Sequence, residues 1–197
     1  MADVAPYRTR PPGRVAIALA FGIGCAVALV AAGWLKLTTQ SDAARAPHPV
    51  WSEVPWPFPM DEWGRGKAYR CPAASCGAEI NVYLRAKIGF CNCMGGIADD
   101  EELERLSDFN LVGGRVTAVQ AGQPVTVGWM KGRSRAYRIV DAKSGALALS
   151  TAFHNECDAL VGTAVFGGAR SADAELAVIR FLNSSTALDW ARVELGL

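Results

Sequence analysis

The first long feature of the chain is a stretch with no polar face. Val15 to Leu35 runs for 21 residues without a charged side chain, VAIALAFGIGCAVALVAAGWL. At 1.5 Å per residue a helix of that length spans roughly 30 Å, the thickness of a bilayer's hydrocarbon core. A helix of a small soluble domain would keep a polar stripe along its length. Trp34 and Lys36 close the run with an interfacial ring and a cation able to reach the headgroups. A cleaved signal peptide would have a shorter apolar core, followed directly by a small-residue cleavage site. Here the run continues into Gly-Trp-Leu-Lys. Lipoprotein processing at Cys25 is excluded by the apolar sequence that continues past it. The pattern therefore predicts a short tail over residues 1–14 and an uncleaved transmembrane helix over 15–37.

The pattern then changes character. Residues 38–62 are rich in Pro, Ala, Ser and Thr, with Pro47, Pro49, Pro55, Pro57 and Pro59, and read as an extended linker arm. Trp51, Trp56, Phe58 and Trp63 interleave with those prolines, and rings of that size do not stay in water without a surface to cover. The expectation is that the arm lies along the following domain, with docking to a partner as the alternative.

Residues 63–197 carry the periodicities of an α+β domain. Lys67–Cys71 is a candidate strand, and Glu79–Lys87 alternates. Ile80, Val82, Leu84 and Ala86 share one face; Asn81, Tyr83, Arg85 and Lys87 share the other. Asp99 or Asp100 caps a short helix with acids in its first turn and Arg105 near its end. Val125–Met130 and Arg135–Val140 flank Lys131-Gly132-Arg133-Ser134, which reads as a hairpin turn. Leu147–Phe153 and Leu160–Phe166 are further strands. After Ser171 the period becomes helical through Leu176, Ile179, Phe181 and Leu182 and stops at Asn183. A second helix begins after Ser185 or Thr186, where Thr186 and Asp189 have capping-box spacing. Strands first and helices last predict an antiparallel sheet with two C-terminal helices.

Charge adds an orientation. The net charge of +1 carries no nucleic-acid footprint, and residues 38–197 hold 16 Lys+Arg against 18 Asp+Glu. Arg8, Arg10 and Arg14 precede the apolar run, whereas Lys36 and Arg45 follow it, which places the N-terminus in the cytoplasm. Five of the six cysteines follow the run, as suits an oxidising compartment. The bias of 15 Arg to 5 Lys suggests a GC-rich, most simply bacterial, genome, so the expected address is an inner membrane with the domain in the periplasm. Within the run, Ala16, Ala20, Gly24, Ala28 and Ala32 recur every fourth residue. Ala20, Gly24 and Ala28 form the centre of a small-residue row on which another membrane helix could pack.

The candidate chemistry lies in Cys71-x4-Cys76-x14-Cys91-x-Cys93, with Cys157 far downstream. Disulfides are the first reading. A one-residue Cys91–Cys93 loop would be strained, so each is expected to pair with Cys71 or Cys76, leaving Cys157 a buried thiol or a replacement for one of the set. Zinc held by Cys71, Cys76, Cys91 and Cys93 is an alternative, though C-x-C is tighter than the usual zinc knuckle. Copper held by Cys91, Cys93, Met94, His154 and Cys157 is another, because those are soft or borderline ligands. The leading expectation is no resident cofactor. There is no C-x-x-C, haem-attachment, P-loop, dinucleotide or nucleophile-elbow motif. His154, with Glu156 and Asp158 nearby, is the one candidate general base. Lys131, Arg133, Arg135 and Arg138 could meet anionic lipid or an acidic partner, or form a solvated hairpin face. The sequence thus predicts a bitopic accessory or assembly protein that contacts the bilayer and another membrane protein. It predicts no catalytic residue, no nucleic acid and no small-molecule substrate; a copper or thiol-redox factor is the alternative.

Overall fold

Alternating strands dominate the domain because most of its apolar positions recur at period two. A computed structural model describes residues 48–89, 94–140, 146–168 and 171–197. The apolar run and its small-residue row, Ala20, Gly24 and Ala28 included, lie outside the described residues. Among the described residues no helix is long and apolar enough to cross a membrane.

Among the described residues eight strands form one sheet: β1 (Ser52–Val54), β2 (Lys67–Cys71), β3 (Ile80–Lys87), β4 (Val116–Ala118), β5 (Gln123–Val127), β6 (Met130–Ile139), β7 (Leu147–Asn155) and β8 (Asp158–Phe166). Their order is β1-β2-β3-β8-β7-β6-β4, with β5 also on β6, and every pairing is antiparallel. Among the described residues four helices accompany them: α1 (Ala73–Cys76), α2 (Asp100–Leu106), α3 (Ala172–Leu182) and α4 (Ser185–Leu195). A 3-10 turn over Phe109–Val112 follows α2. The chain is therefore an antiparallel sheet with C-terminal helices.

One sheet face carries α3 and α4. Ile80, Val82, Leu84, Leu149, Phe153, Leu160 and Phe166 meet Ala174, Val178, Phe181, Leu182, Ala187 and Ala191 in a single core. Each large side chain buried there contributes about 1.5–3 kcal/mol. Ser171 caps α3 by accepting the Ala174 N–H at 3.1 Å. For α4 the cap is Ser184, one or two residues before the expected Ser185 or Thr186. Asn183 between the helices holds their junction to the sheet: its Nδ2 donates to Thr126 O, and its Oδ1 accepts the Gly128 N–H at 2.9 Å.

The opposite face is lined by small residues, Ala148, Ala152 and Ala159, which let α2 approach closely with Leu103 and Leu106 inward. Asp99 caps α2, accepting the Glu102 N–H at 2.9 Å. Both faces of the sheet are therefore covered.

One turn lies elsewhere than the periodicity indicates. Lys131-Gly132-Arg133-Ser134 is the start of β6, and the hairpin turns instead at Gly128-Trp129. Gly128 has φ +57°, which supplies the left-handed geometry such a turn requires. Gly132 is needed for another reason: a Cβ there would run into the Ala152 carbonyl and the Phe153 backbone of β7. It is a close-approach glycine within a strand.

The described part of the arm, from His48 onward, folds with the domain. Its residues Ser52–Val54 are β1, at the sheet edge. Trp51 stacks on Phe181 at 4.5 Å on the helical face. Phe58 meets Tyr83 at 4.8 Å, and Trp56 lies 6.1 Å from the same ring on the opposite face. The arm thus crosses the edge of the sheet and buries rings on both sides. Pro49, Pro55 and Pro57 flank β1, and together with its shortness they blunt the exposed edge against pairing with another chain.

Candidate functional site

The alternation of β3 delivers Leu84 to the helical core and Arg85 and Lys87 to the other face, where α2, the 3-10 turn and the arm close over them. Arg85 is 1% exposed, Lys87 6% and Asp108, which precedes the 3-10 turn, 4%. Charges so far from water require partners. Lys87 Nζ lies 2.9 Å from Asp108 Oδ1 and donates to the Leu106 carbonyl at 2.8 Å. Arg85 Nη1 donates to Asp61 Oδ2 at 2.7 Å. Its Nε stands 3.8 Å from Asp108 Oδ2, an ion-pair distance too long for a hydrogen bond. Aromatic faces complete the enclosure: Trp56 stands 5.2 Å from the Arg85 guanidinium and Trp63 5.2 Å from Lys87 Nζ.

Asp61 reaches this position from a tight turn of the arm, in which its backbone oxygen accepts the Gly64 N–H at 3.0 Å. The Arg85 guanidinium holds the Asp61 carboxyl below its ordinary value. Desolvation works against that shift, and the Trp63 N–H at 3.0 Å reinforces it. Beside these groups lies a cleft of about 480 Å³, lined by Asp61, Glu62, Trp63, Arg85, Lys87, Arg105, Asp108 and Asn110. Its volume falls in the range of small-molecule sites. Arg85 Nε and Nη2 are buried and have no hydrogen-bond partner among the described residues.

The cysteines pair differently from the expectation. Cys71 bonds to Cys76, with Cα atoms 6.0 Å apart, so neither is joined to Cys91 or Cys93. The reason is local. Pro72 opens a single helical turn, the Cys76 N–H donates to the Pro72 carbonyl at 3.0 Å, and Gly77 at φ +73° ends the turn. One turn of helix folds Cys76 back over Cys71. Their sulfurs are consumed by that bond, so in this form they do not complete a four-thiolate zinc set. Cys157 is also disulfide-bonded and is not a lone thiol. Cys91 and Cys93 lie outside the described residues. Among the described residues no cluster of three or more His, Cys, Asp or Glu could hold a metal ion. Met94 is fully exposed.

No protein-family model matches this chain, and no curated protein matches it significantly.

The other sequence candidates divide. His154 packs its ring against Gly96, and its Nδ1 is buried without a hydrogen-bond partner among the described residues. Asp158, a candidate neighbour of His154, accepts the Gly89 N–H at 2.7 Å. The basic run divides into paired and exposed cations. Arg133 and Arg135 turn toward α2: Arg133 pairs with Asp100, and Arg135 with Glu104 at 2.7 Å. Asp100 is held below its ordinary value by the Gly122 N–H first and by Arg133 next. Lys131 and Arg138 are exposed. Two of the four cations are thus committed to internal pairs. Tyr137, buried beside Phe109, has its hydroxyl pushed up to about 12 by desolvation, with the Glu104 charge adding to it.

The charged cleft was not singled out as a site by the sequence pattern, although Arg85 and Lys87 stood on the polar face of β3. A signal was present in the arm, where an acid at Asp61 sits among rings that need a surface.

Proposed function

We propose that the chain is a single-pass accessory protein of a bacterial inner membrane. Residues 1–14 lie in the cytoplasm and 15–37 in the bilayer, and the domain in the periplasm binds a component of a larger membrane complex. The observation that carries this reading is the uncharged apolar run Val15–Leu35, preceded by Arg8, Arg10 and Arg14. The Cys71–Cys76 bond and the disulfide at Cys157 support the oxidising side of that membrane, because cytosolic thiols are kept reduced. The row through Ala20, Gly24 and Ala28 supports a helix partner within the bilayer.

The orientation is tested by reporters fused after Leu197. A periplasm-dependent reporter should be active and a cytoplasm-dependent one silent, and the reverse overturns the reading. The partner is tested by Gly24→Leu, which should abolish co-purification with membrane proteins while leaving insertion intact. Substitutions at Leu19 or Leu29, off the row, should leave co-purification unchanged. If Gly24→Leu behaves as they do, the row is not a packing surface.

A further inference from the structure

Arg85 has five N–H donors and a buried position, yet among the described residues one of those donors makes a hydrogen bond, to Asp61. A buried polar group without a partner is costly, more so when charged, so native structures supply an acceptor. Neighbouring side chains are already engaged. Asp61 takes Nη1, Asp108 is held by Lys87, and Lys87 divides its donors between Asp108 and the Leu106 carbonyl. The unused donors, Nε and Nη2, belong to a residue that lines the 480 Å³ cleft.

The cleft also has a gradient of sign. On its floor the buried Arg85 and Lys87 stand against one buried acid, Asp108, and Asp61 reaches Arg85 Nη1 from the rim. At its rim Asp61 and Glu62 are exposed, and the rim cation Arg105 is drawn to Glu102 at 2.8 Å. A simple anion would suit the floor and be repelled at the rim. A simple cation would meet the opposite difficulty. A ligand carrying both charges a few bonds apart matches both.

We propose that this cleft binds a small amino-carboxylate, a zwitterion such as a free α-amino acid. Its carboxylate is taken by Arg85 Nε and Nη2 at the floor, and its ammonium by Glu62 at the rim beside the half-exposed Trp63. Planar, forked guanidinium geometry suits a carboxylate, and a guanidinium–carboxylate contact is among the stronger hydrogen bonds available. Every group involved lies on β3, the arm or the segment after α2.

The test uses the full-length chain purified in mild detergent, titrated calorimetrically with the standard amino acids one at a time. At least one should bind saturably at one per chain. Its amide, which lacks the carboxylate, and its N-acetyl derivative, which lacks the ammonium, should each bind at least about tenfold more weakly. Glu62→Gln, a change at an exposed position that leaves the core untouched, should weaken binding about tenfold. Arg85→Lys should abolish it. Absence of saturable binding for every amino acid up to about 10 mM overturns the proposal. So does an N-acetyl derivative that binds as tightly as its parent, or a Glu62→Gln variant with unchanged affinity. The Glu62 arm decides the matter even where Arg85→Lys fails to fold.

Discussion

Replacing Asp108 by Asn removes one negative charge from between two buried cations and changes the shape of the site very little. The acid stands 2.9 Å from Lys87 Nζ and 3.8 Å from Arg85 Nε. With an effective dielectric near 20, those separations correspond to attractions of roughly 6 and 4 kcal/mol before desolvation is counted. Most of that gain offsets the cost of taking the charges out of water, so the pair as a whole adds little. Its rupture, however, leaves Lys87 buried without a counter-charge. Broken buried pairs cost about 3–5 kcal/mol, and the lower part of that range is expected here because Asn retains one carbonyl acceptor and Arg85 keeps Asp61. Urea unfolding of the full-length chain, followed by tryptophan fluorescence and far-ultraviolet dichroism, should show a lowered midpoint at unchanged slope. Adding Lys87→Met in the same chain should recover at least about 1 kcal/mol relative to the sum of the two single changes, since no uncompensated ammonium then remains. An Asp108→Asn loss below about 1 kcal/mol, or strict additivity in the double variant, would refute the claim that these charges hold one another inside the fold.

Gly132→Ala should destabilise by about 1–3 kcal/mol, because its Cβ would meet the β7 backbone, while Gly168→Ala, with open space around it, should stay within about 0.5 kcal/mol; denaturant midpoints compare the two. Removing the Cys71–Cys76 bond by a double alanine substitution should cost roughly 2 kcal/mol, the small value set by a sequence separation of 5, and equal midpoints for the two proteins would contradict it. Alkaline pH should destabilise the domain. Tyr137 has a folded pKa of about 12 against an ordinary 10.0, so the folded state holds the proton longer. Its contribution is whole below pH 10 and is lost as pH rises from there toward 12, by on the order of 2 kcal/mol. Tyr137→Phe should flatten that decline, and absorbance titration of the phenolates reads the ionisation directly.

Much of the architecture was legible because it depends on neighbours in sequence. The alternation of Ile80, Val82 and Leu84 and the helical period ending at Asn183 each reflect a local rule, and each corresponds to an element of the fold. The losses share a cause as well. Gly132 reads as a turn residue, yet its role is steric and depends on β7, whose Phe153 backbone no local window includes. Pro49, Pro55 and Pro57 disguise β1, which exists because β2 offers it an edge. Arg85 and Lys87 are the most instructive. Cations on alternate strand positions are ordinarily solvated, and only Asp61 and Asp108, each about twenty residues distant in the chain, make their burial tolerable. For the cysteines, spacing suggested pairing across strands, while one helical turn after Pro72 brought Cys71 and Cys76 together first.

The order of the strands has a consequence for a chain made from one end. β3 is an interior strand whose partner on one side, β8, is among the last to be synthesised: Ile80 lies opposite Phe166, and Lys87 opposite Ala159. Until that stretch emerges, β1, β2 and β3 form a small sheet with an open edge and an uncovered apolar face, since α3 and α4 follow β8 in the chain. The β6–β7–β8 meander can close on itself by short hairpins, but the joining of the two halves waits for a contact between distant segments, the slow kind of event in sheet formation. The growing chain is therefore most exposed to aggregation in the interval between Lys87 and Phe166. A ribosome or translocon stalled within that interval would hold a half-sheet, and binding to the β3 edge is what a chaperone serving this protein would have to provide.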